Sequence, residues 1–361
     1  MHNRFVRSRT KLSIACVFFI VGVLFAGMRW RRHLAPDVHT HRQTRLLLNT
    51  VVELIINSAD EAQAQKAMEA AFAEIQRIEV LMSRDKEGSQ IRLINQYAGQ
   101  KAVQVSDEVK EVLERSLMYA RQTDGLFDIR IGPLVELWGI GTEHEQIPLR
   151  GAIDSAIAHI STLQIAIRPN GEVFLDDPHG SLDIGGIAKG YSVDRAIEVL
   201  KQHGITRALL NAGGDIRCIG AKAEGSPWRI GVKHPRDEGI LAVIELQDMA
   251  VATSGDYERF FLQENLRYHH LLDPRNGFPA RGCRSVTIVA STTAQADAMA
   301  TAVFIMGPQH GLEFIEAQGD IEGMIVDADG KIVSSSGFSF QPNAGQGQRA
   351  SGFDQTPAAG K

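Results

Sequence analysis

The chain has 361 residues, 44% apolar and 22% charged, ordinary values for a globular protein and enough for one large domain or two smaller ones. Its net charge of −5 is uneven: residues 1–33 carry Arg4, Arg7, Arg9, Lys11, Arg29, Arg31 and Arg32 and no acid, leaving the remainder at −12. An acidic body argues against nucleic-acid binding through a broad basic face, and three cysteines with neither a C-x-x-C pair nor a histidine cluster give no zinc module.

Between the basic clusters, residues 12–28 form a run of 17 without a charge, the lower limit for a helix that spans a bilayer. A cleaved signal peptide is the competing reading. No A-x-A site follows the run, however, and Arg29, Arg31 and Arg32 crowd any cleavage point. A lipoprotein fits less well, because Cys16 lies near the start of the run. The expectation is a single uncleaved N-terminal transmembrane anchor over residues 1–33, with the body outside the cytoplasm.

Residues 34–45 read as a linker. "RLLLNTVVELII" (45–56) then reads as a strand and residues 58–82 as a long helix, with Ser58 and Glu61 as a capping box and Met68, Ala71, Ile75 and Ile78 at helical spacing. A second helix follows Ser106, turns Val109, Leu113 and Ala120 inward, and ends before Gly125. Residues 165–175 form a hairpin on Asn170-Gly171. Strands are expected at 207–213, 228–234, 241–246 and 284–290, and a helix at 293–306 stopped by Gly307. A last hairpin spans 324–334, and 341–361 reads as a disordered tail. Helices and hairpins alternate without a βαβ rhythm, which predicts an α+β fold rather than a doubly wound sheet.

Several stretches could carry chemistry. "SLDIGGIAKG" (181–190) places glycines and Lys189 before a helix marked by Val193, Ala196, Ile197 and Leu200. It fits neither the P-loop nor G-x-G-x-x-G. Gly185 and Gly186 let the backbone approach a ligand, and the helix N-terminus with Lys189 favours an anion; the bland alternative is a tight turn with a solvated lysine. In "ADAMATAVFIMG" (296–307), Asp297 and Thr301 share one helix face and are hard oxygen donors of the kind that suits Mg2+, unless Thr301 merely bonds back to the helix. "YHHLLDPRNGFPA" (268–280) has two histidines before a turn, one of which should face inward. The other could take a proton from a hydroxyl. In "TDGLFDIRIGPLVELWGIG" (123–141), Phe127 and Trp138 could cover a planar ring or be plain core. "NAGGDI" (211–216) and "ATSGDYERFF" (252–261) are small-residue turns beside strands.

Taken in order, these stretches and "MSRDKEGSQIRLIN" (82–95) resemble the ApbE family of FAD:protein FMN transferases, over residues 46–340. The resemblance implies a T-fold-like α+β domain of mixed sheets with packed helices. It also implies Mg2+-dependent cleavage of FAD, with FMN passed to a Thr or Ser hydroxyl of a protein and AMP released. The implied targets are flavoprotein subunits of Rnf- or Nqr-type membrane redox complexes or of nitrous-oxide respiration, met on the periplasmic side of a bacterial inner membrane. By the same resemblance, Gly186, Asp297, Ala300 and Thr301 are the metal region. Leu48, Arg84, Leu126, Phe127, Asp128, Asp183, Lys189 and Leu271 contact FAD. His270 is the candidate base, with Asp256 as a substitute. The chain departs from the family where Leu48-Asn49-Thr50 stands for Met-Gly-Thr, where Arg84 replaces an aromatic ring, and at Leu126 and Asn276. The first two bear on how the rings are held. Two readings compete with the transferase: a Mg2+-dependent FAD pyrophosphatase, and a non-catalytic FAD-binding protein.

Overall fold

Leu48 and Asn49 both take positive φ, 54° and 56°, and fold the first apolar stretch back on itself. A two-residue turn of this kind matches the twist of paired strands, and asparagine tolerates the left-handed region better than most residues. Residues 45–56 are therefore not one strand. They belong to the hairpin of β1 (His39–Leu47) and β2 (Thr50–Ser58), and β1 starts inside the stretch expected to be a linker. The computed structural model describes residues 37–342. The apolar run with Cys16, and the tail from residue 343, lie outside the described residues.

The chain continues through helix α1 (Glu61–Met82), α2 (Gln90–Gln96), β3 (Val103–Gln104), α3 (Asp107–Gln122), a single 3-10 turn (Ile129–Ile131), α4 (Gly132–Trp138) and α5 (Arg150–Thr162). Next come β4 (Ile165–Ile167), β5 (Glu172–Leu175), α6 (Gly185–Gln202), β6 (Ala208–Ala212), β7 (Asp215–Ile219), β8 (Trp228–Lys233), β9 (Ile240–Leu246) and β10 (Ala250–Gly255). The last part holds β11 (Phe260–Gln263), β12 (Leu266–His269), β13 (Cys283–Ala290), α7 (Thr293–Met306), α8 (Pro308–Gln318), β14 (Ile321–Asp327), β15 (Ile332–Ser334) and β16 (Gln341–Pro342). The α+β expectation holds. One cap is corrected: Asp60, not Ser58, closes the start of α1 by accepting from the Gln63 N–H at 2.9 Å, and Ser58 instead accepts from the Asp60 N–H at 3.0 Å.

An eight-stranded sheet runs β1-β2-β6-β7-β10-β13-β14-β15, antiparallel at each described pairing. Alternation sorts its side chains into two layers. Val52, Leu54, Ile56, Ala208 and Leu210 meet α1 and α6, and Val286, Ile288 and Ile325 meet α7. On the opposite face, Leu209, Ile216, Val251, Met324 and Val326 pack against Trp228, Ile230, Val232 and Ile244 of the small β8-β9-β16 sheet. Alpha-7 is buried almost all round, as expected of a helix that is apolar on every side. Cys218 and Cys283 are both buried and unpaired. Among the described residues, no helix is long and apolar enough to cross a membrane.

Candidate functional site

The site forms where α6 crosses α7. A Cβ on Gly190 would lie 2.5 Å from the Thr293 carbonyl oxygen and 2.8 Å from the Ala294 nitrogen, so only glycine lets the two backbones approach this closely. One turn further along α6, Asp194 accepts the Thr293 and Ala294 N–H groups, each at 2.9 Å, and caps α7; Arg217 pairs with the same carboxylate. The Gly190 N–H donates to Asp297 Oδ2 at 3.2 Å. In this way α6 fixes the first turns of α7, and with them the position of Asp297.

Lys189 leaves α6 beside this crossing and meets Asp215, the first residue of β7, with Nζ to Oδ2 at 2.6 Å. Burial works against the lysine's charge, but Asp215 and Asp297 outweigh it and hold the ammonium above the usual lysine range. Asp215 is 1% exposed, and its Oδ2 finds no hydrogen bond of good geometry. Burial and the neighbouring Asp297 push its carboxyl up to about 8, against the pull of Lys189. Glu258 is likewise pushed up, by burial and by Asp215. One ammonium thus serves two buried carboxylates, and the pocket is short of positive charge.

Hard oxygens complete the pocket. Ser254 Oγ lies 3.3 Å from Thr301 Oγ1, and a Cβ on Gly186 would stand 3.5 Å from the same hydroxyl. Asp297, Thr301 and the Gly186 backbone therefore gather as expected, and Asp215 joins them. The set fits a hard cation such as Mg2+: it is all oxygen, and its two buried carboxylates, Asp215 and Asp297, share one ammonium. No group of three or more His, Cys, Asp or Glu side chains suited to a metal occurs among the described residues. Hydroxyl, carbonyl and substrate oxygens would complete the coordination. Ala300 is fully buried inside α7, four residues before Phe304, where a helical carbonyl accepts that N–H.

The two histidines divide as expected. His269 is 3% exposed, bonds the Ala280 carbonyl through Nε2 at 2.7 Å, and is pushed down to about 4 by burial. His270 is half-buried, with Nδ1 3.3 Å from the Arg259 carbonyl oxygen. An N–H on Nδ1 donates there and leaves the Nε2 lone pair free. Burial, and then the charge of Arg259, push His270 down to about 3, with a smaller contribution from Lys189 across the site. His270 is accordingly neutral at physiological pH. Asp256 has a different task. Both its oxygens are bound by Arg236 at 2.7 and 2.6 Å and one also by Arg267 at 3.1 Å, which commits the carboxylate to pairing with two arginines.

Of the remaining candidates, Asp183 accepts from the Gly185 N–H at 2.8 Å and pairs with Arg84 at 3.1 Å, and Arg84 also reaches Glu136. These residues flank the entry to α6. Phe127, Leu126 and Leu271 are buried, the Phe127 ring lying under Gly186 at 3.2 Å from where a Cβ would sit. Asp128 caps the 3-10 turn and forks onto Arg130. Leu48 packs toward α1 from the β1–β2 turn, whose end meets the β6–β7 turn where Gly213 N bonds the Val51 carbonyl. Trp138 offers no face to a ligand: it is fully buried, donates to the Gly277 carbonyl at 2.7 Å and stacks on Tyr268. Asp215, Ser254, Gly190 and Asp194 are the residues that sequence reading missed. The signal for Asp215 was a lone carboxylate opening an apolar strand straight after two glycines.

The helix crossing thus gathers a lysine, two buried carboxylates and two hydroxyls beside a glycine backbone. The ApbE family model matches residues 48–325, and the chain belongs to the ApbE family. It is 29% identical to the FAD:protein FMN transferase of Treponema pallidum, over 90% of this chain and 95% of that protein. It is 32% identical to the protein of that name in Klebsiella pneumoniae, over 83% and 93%. Among solved structures, it resembles the ApbE protein of Thermotoga maritima with a TM-score of 0.77 at 34% identity, covering 82% of this chain and 97% of that one. It also resembles the flavin transferase ApbE of Vibrio cholerae, with a TM-score of 0.74 at 28% identity, covering 84% and 99%.

Proposed function

We propose that this chain is an FAD:protein FMN transferase, the activity given in the names of its relatives. FAD is the substrate. The hydroxyl oxygen of a target Thr or Ser attacks the FMN-side phosphorus, and the bond from that phosphorus to the bridging oxygen breaks. AMP leaves with the electron pair, and the hydroxyl proton passes to His270 Nε2. The observation that carries this reading is the convergence of Lys189, Asp215, Asp297, Thr301 and the Gly186 backbone at one helix crossing.

Lys189 sets a positive charge against the pyrophosphate, and Asp215 holds it in place. The glycine-started α6 brings its N-terminus to the same point, which favours an anion. Asp297, Thr301, the Gly186 carbonyl and Asp215 would hold Mg2+, which when bound supplies charge neutralisation on the phosphates. Neutral His270 can accept a proton, but its depressed basicity leaves most of the rate to positioning and electrostatics. Arg84, Asp183, Phe127 and Asp128 flank α6 on the side we assign to FAD, with Leu48 and Leu271. The target is a flavoprotein subunit of an Rnf-, Nqr- or nitrous-oxide-respiration-type membrane complex. The uncharged run at 12–28 supports a membrane anchor and a periplasmic body on a bacterial inner membrane.

The test mixes the chain with FAD, Mg2+ and a candidate flavoprotein domain and follows the intact mass of the target. An FMN adduct that disappears with chelator and returns with Mg2+ is expected. FMN release without an adduct over several targets would favour hydrolysis, and intact FAD would leave only a binding protein.

A further inference from the structure

A cavity of about 170 Å3 lies at the far end of β10 and β13, lined by Arg236, Arg267, Arg281 and Arg284 together with Asp256 and His269. Four guanidiniums here face one carboxylate. Asp256 spends both oxygens on Arg236 and one of them again on Arg267. Arg281 and Arg284 hydrogen-bond to backbone carbonyls, those of Arg267 at 2.7 Å and Ala328 at 2.9 Å, and Arg281 also lies over the Tyr268 ring at 5.2 Å. Each guanidinium has five N–H donors, so most of theirs stay free.

Nothing else in the wall supplies negative charge. Burial pushes the Cys283 thiol up to about 12, so it stays protonated, and the low pKa of His269 keeps that ring neutral. Asp327, whose charge reaches Cys283, turns Oδ1 to the Asp329 and Lys331 N–H groups at 2.9 and 2.8 Å. Arg281 is exposed, so the cavity opens to solvent on its side.

We propose that this cavity is a second anion site, separate from the Lys189 pocket, that takes a phosphate group, free or as a phosphomonoester. The chemistry selects that ligand. A carboxylate carries one charge and would leave the guanidiniums largely uncompensated. A phosphate near −2 offers three strongly accepting oxygens that match planar guanidinium forks. The site does not depend on the transferase reading.

Inorganic phosphate and, separately, AMP are titrated into the full chain in a phosphate-free buffer, and the thermal unfolding midpoint is recorded. Phosphate should raise the midpoint in a saturable way. The exposed-residue variant Arg281→Gln and the variant Arg284→Gln should each weaken binding at least about tenfold. Arg284→Lys, which keeps the charge without the fork, should fall between, and Lys189→Gln should bind phosphate as the parent does. AMP binding that is lost with the same arginines identifies a phosphomonoester as a source; AMP that ignores them leaves free phosphate. No midpoint rise, binding as tight as the parent's by Arg281→Gln and Arg284→Gln, or loss of binding with Lys189→Gln would each overturn the proposal.

Discussion

Asp215 shows how one side chain can be costly to the fold and useful to the site. It is buried beside Asp297, and its carboxyl is pushed up because burial and that like charge together outweigh Lys189. Asparagine keeps the shape and removes the conflict. We expect Asp215→Asn to unfold at pH 8 no earlier than the parent while FAD turnover falls at least about tenfold, the trade expected of a strained functional group. A lower unfolding midpoint would show that the carboxylate is mainly structural. His269 gives the pH prediction. Its folded pKa of about 4 lies below the ordinary 6.5, so below that ordinary value the unfolded chain binds the extra proton. Stability is therefore lost as pH falls from about 7 toward 4, by about 2 kcal/mol from this residue by pH 5. His269→Gln, which can still donate to the Ala280 carbonyl, should flatten that loss in urea titrations at pH 7 and pH 5. An unchanged slope would shift the acid sensitivity to other groups.

At the scale of elements, the α6–α7 crossing does the positioning. Gly190 permits it, Asp194 caps α7 across it, and Lys189 and Asp297 are delivered by it. Gly190→Ala places a methyl group against backbone atoms that cannot rotate away. An overpacking cost of about 1–3 kcal/mol in urea unfolding is expected, with FAD cleavage reduced more than stability alone explains. Wild-type activity and stability together would mean that the crossing can relax without disturbing the site. The sequence showed both helices, with α7 legible from Thr293 to the Gly307 stop. It did not show the crossing, because spacing along one helix carries no information about what its neighbour presses against it. The same limit applies to "RLLLNTVVELII". An unbroken apolar pattern reads as one strand, whereas the turn lies in two left-handed φ angles at Leu48 and Asn49.

For the whole molecule, helices cover one face of the eight-stranded sheet and a three-stranded sheet covers the other, all within residues 37–342. A chain beginning at residue 37 should therefore fold and cleave FAD with the parent's turnover in solution. A loss of turnover in that shortened chain would tie the N-terminal residues to catalysis.

Sequence by itself determined the α+β class, the four longest helices, many of the strands, and the family, because ordered motifs and hydrophobic periodicity are local along the chain. It also marked Lys189, Asp297, Thr301, Gly186 and His270 as chemistry-bearing residues. Only the tertiary structure decided that Asp215 completes their pocket, that Asp256 is spent on two arginines, and that Trp138 is core. Those outcomes depend on which side chains meet across elements far apart in the chain, and on how burial and neighbouring charges then divide the available protons and hydrogen bonds.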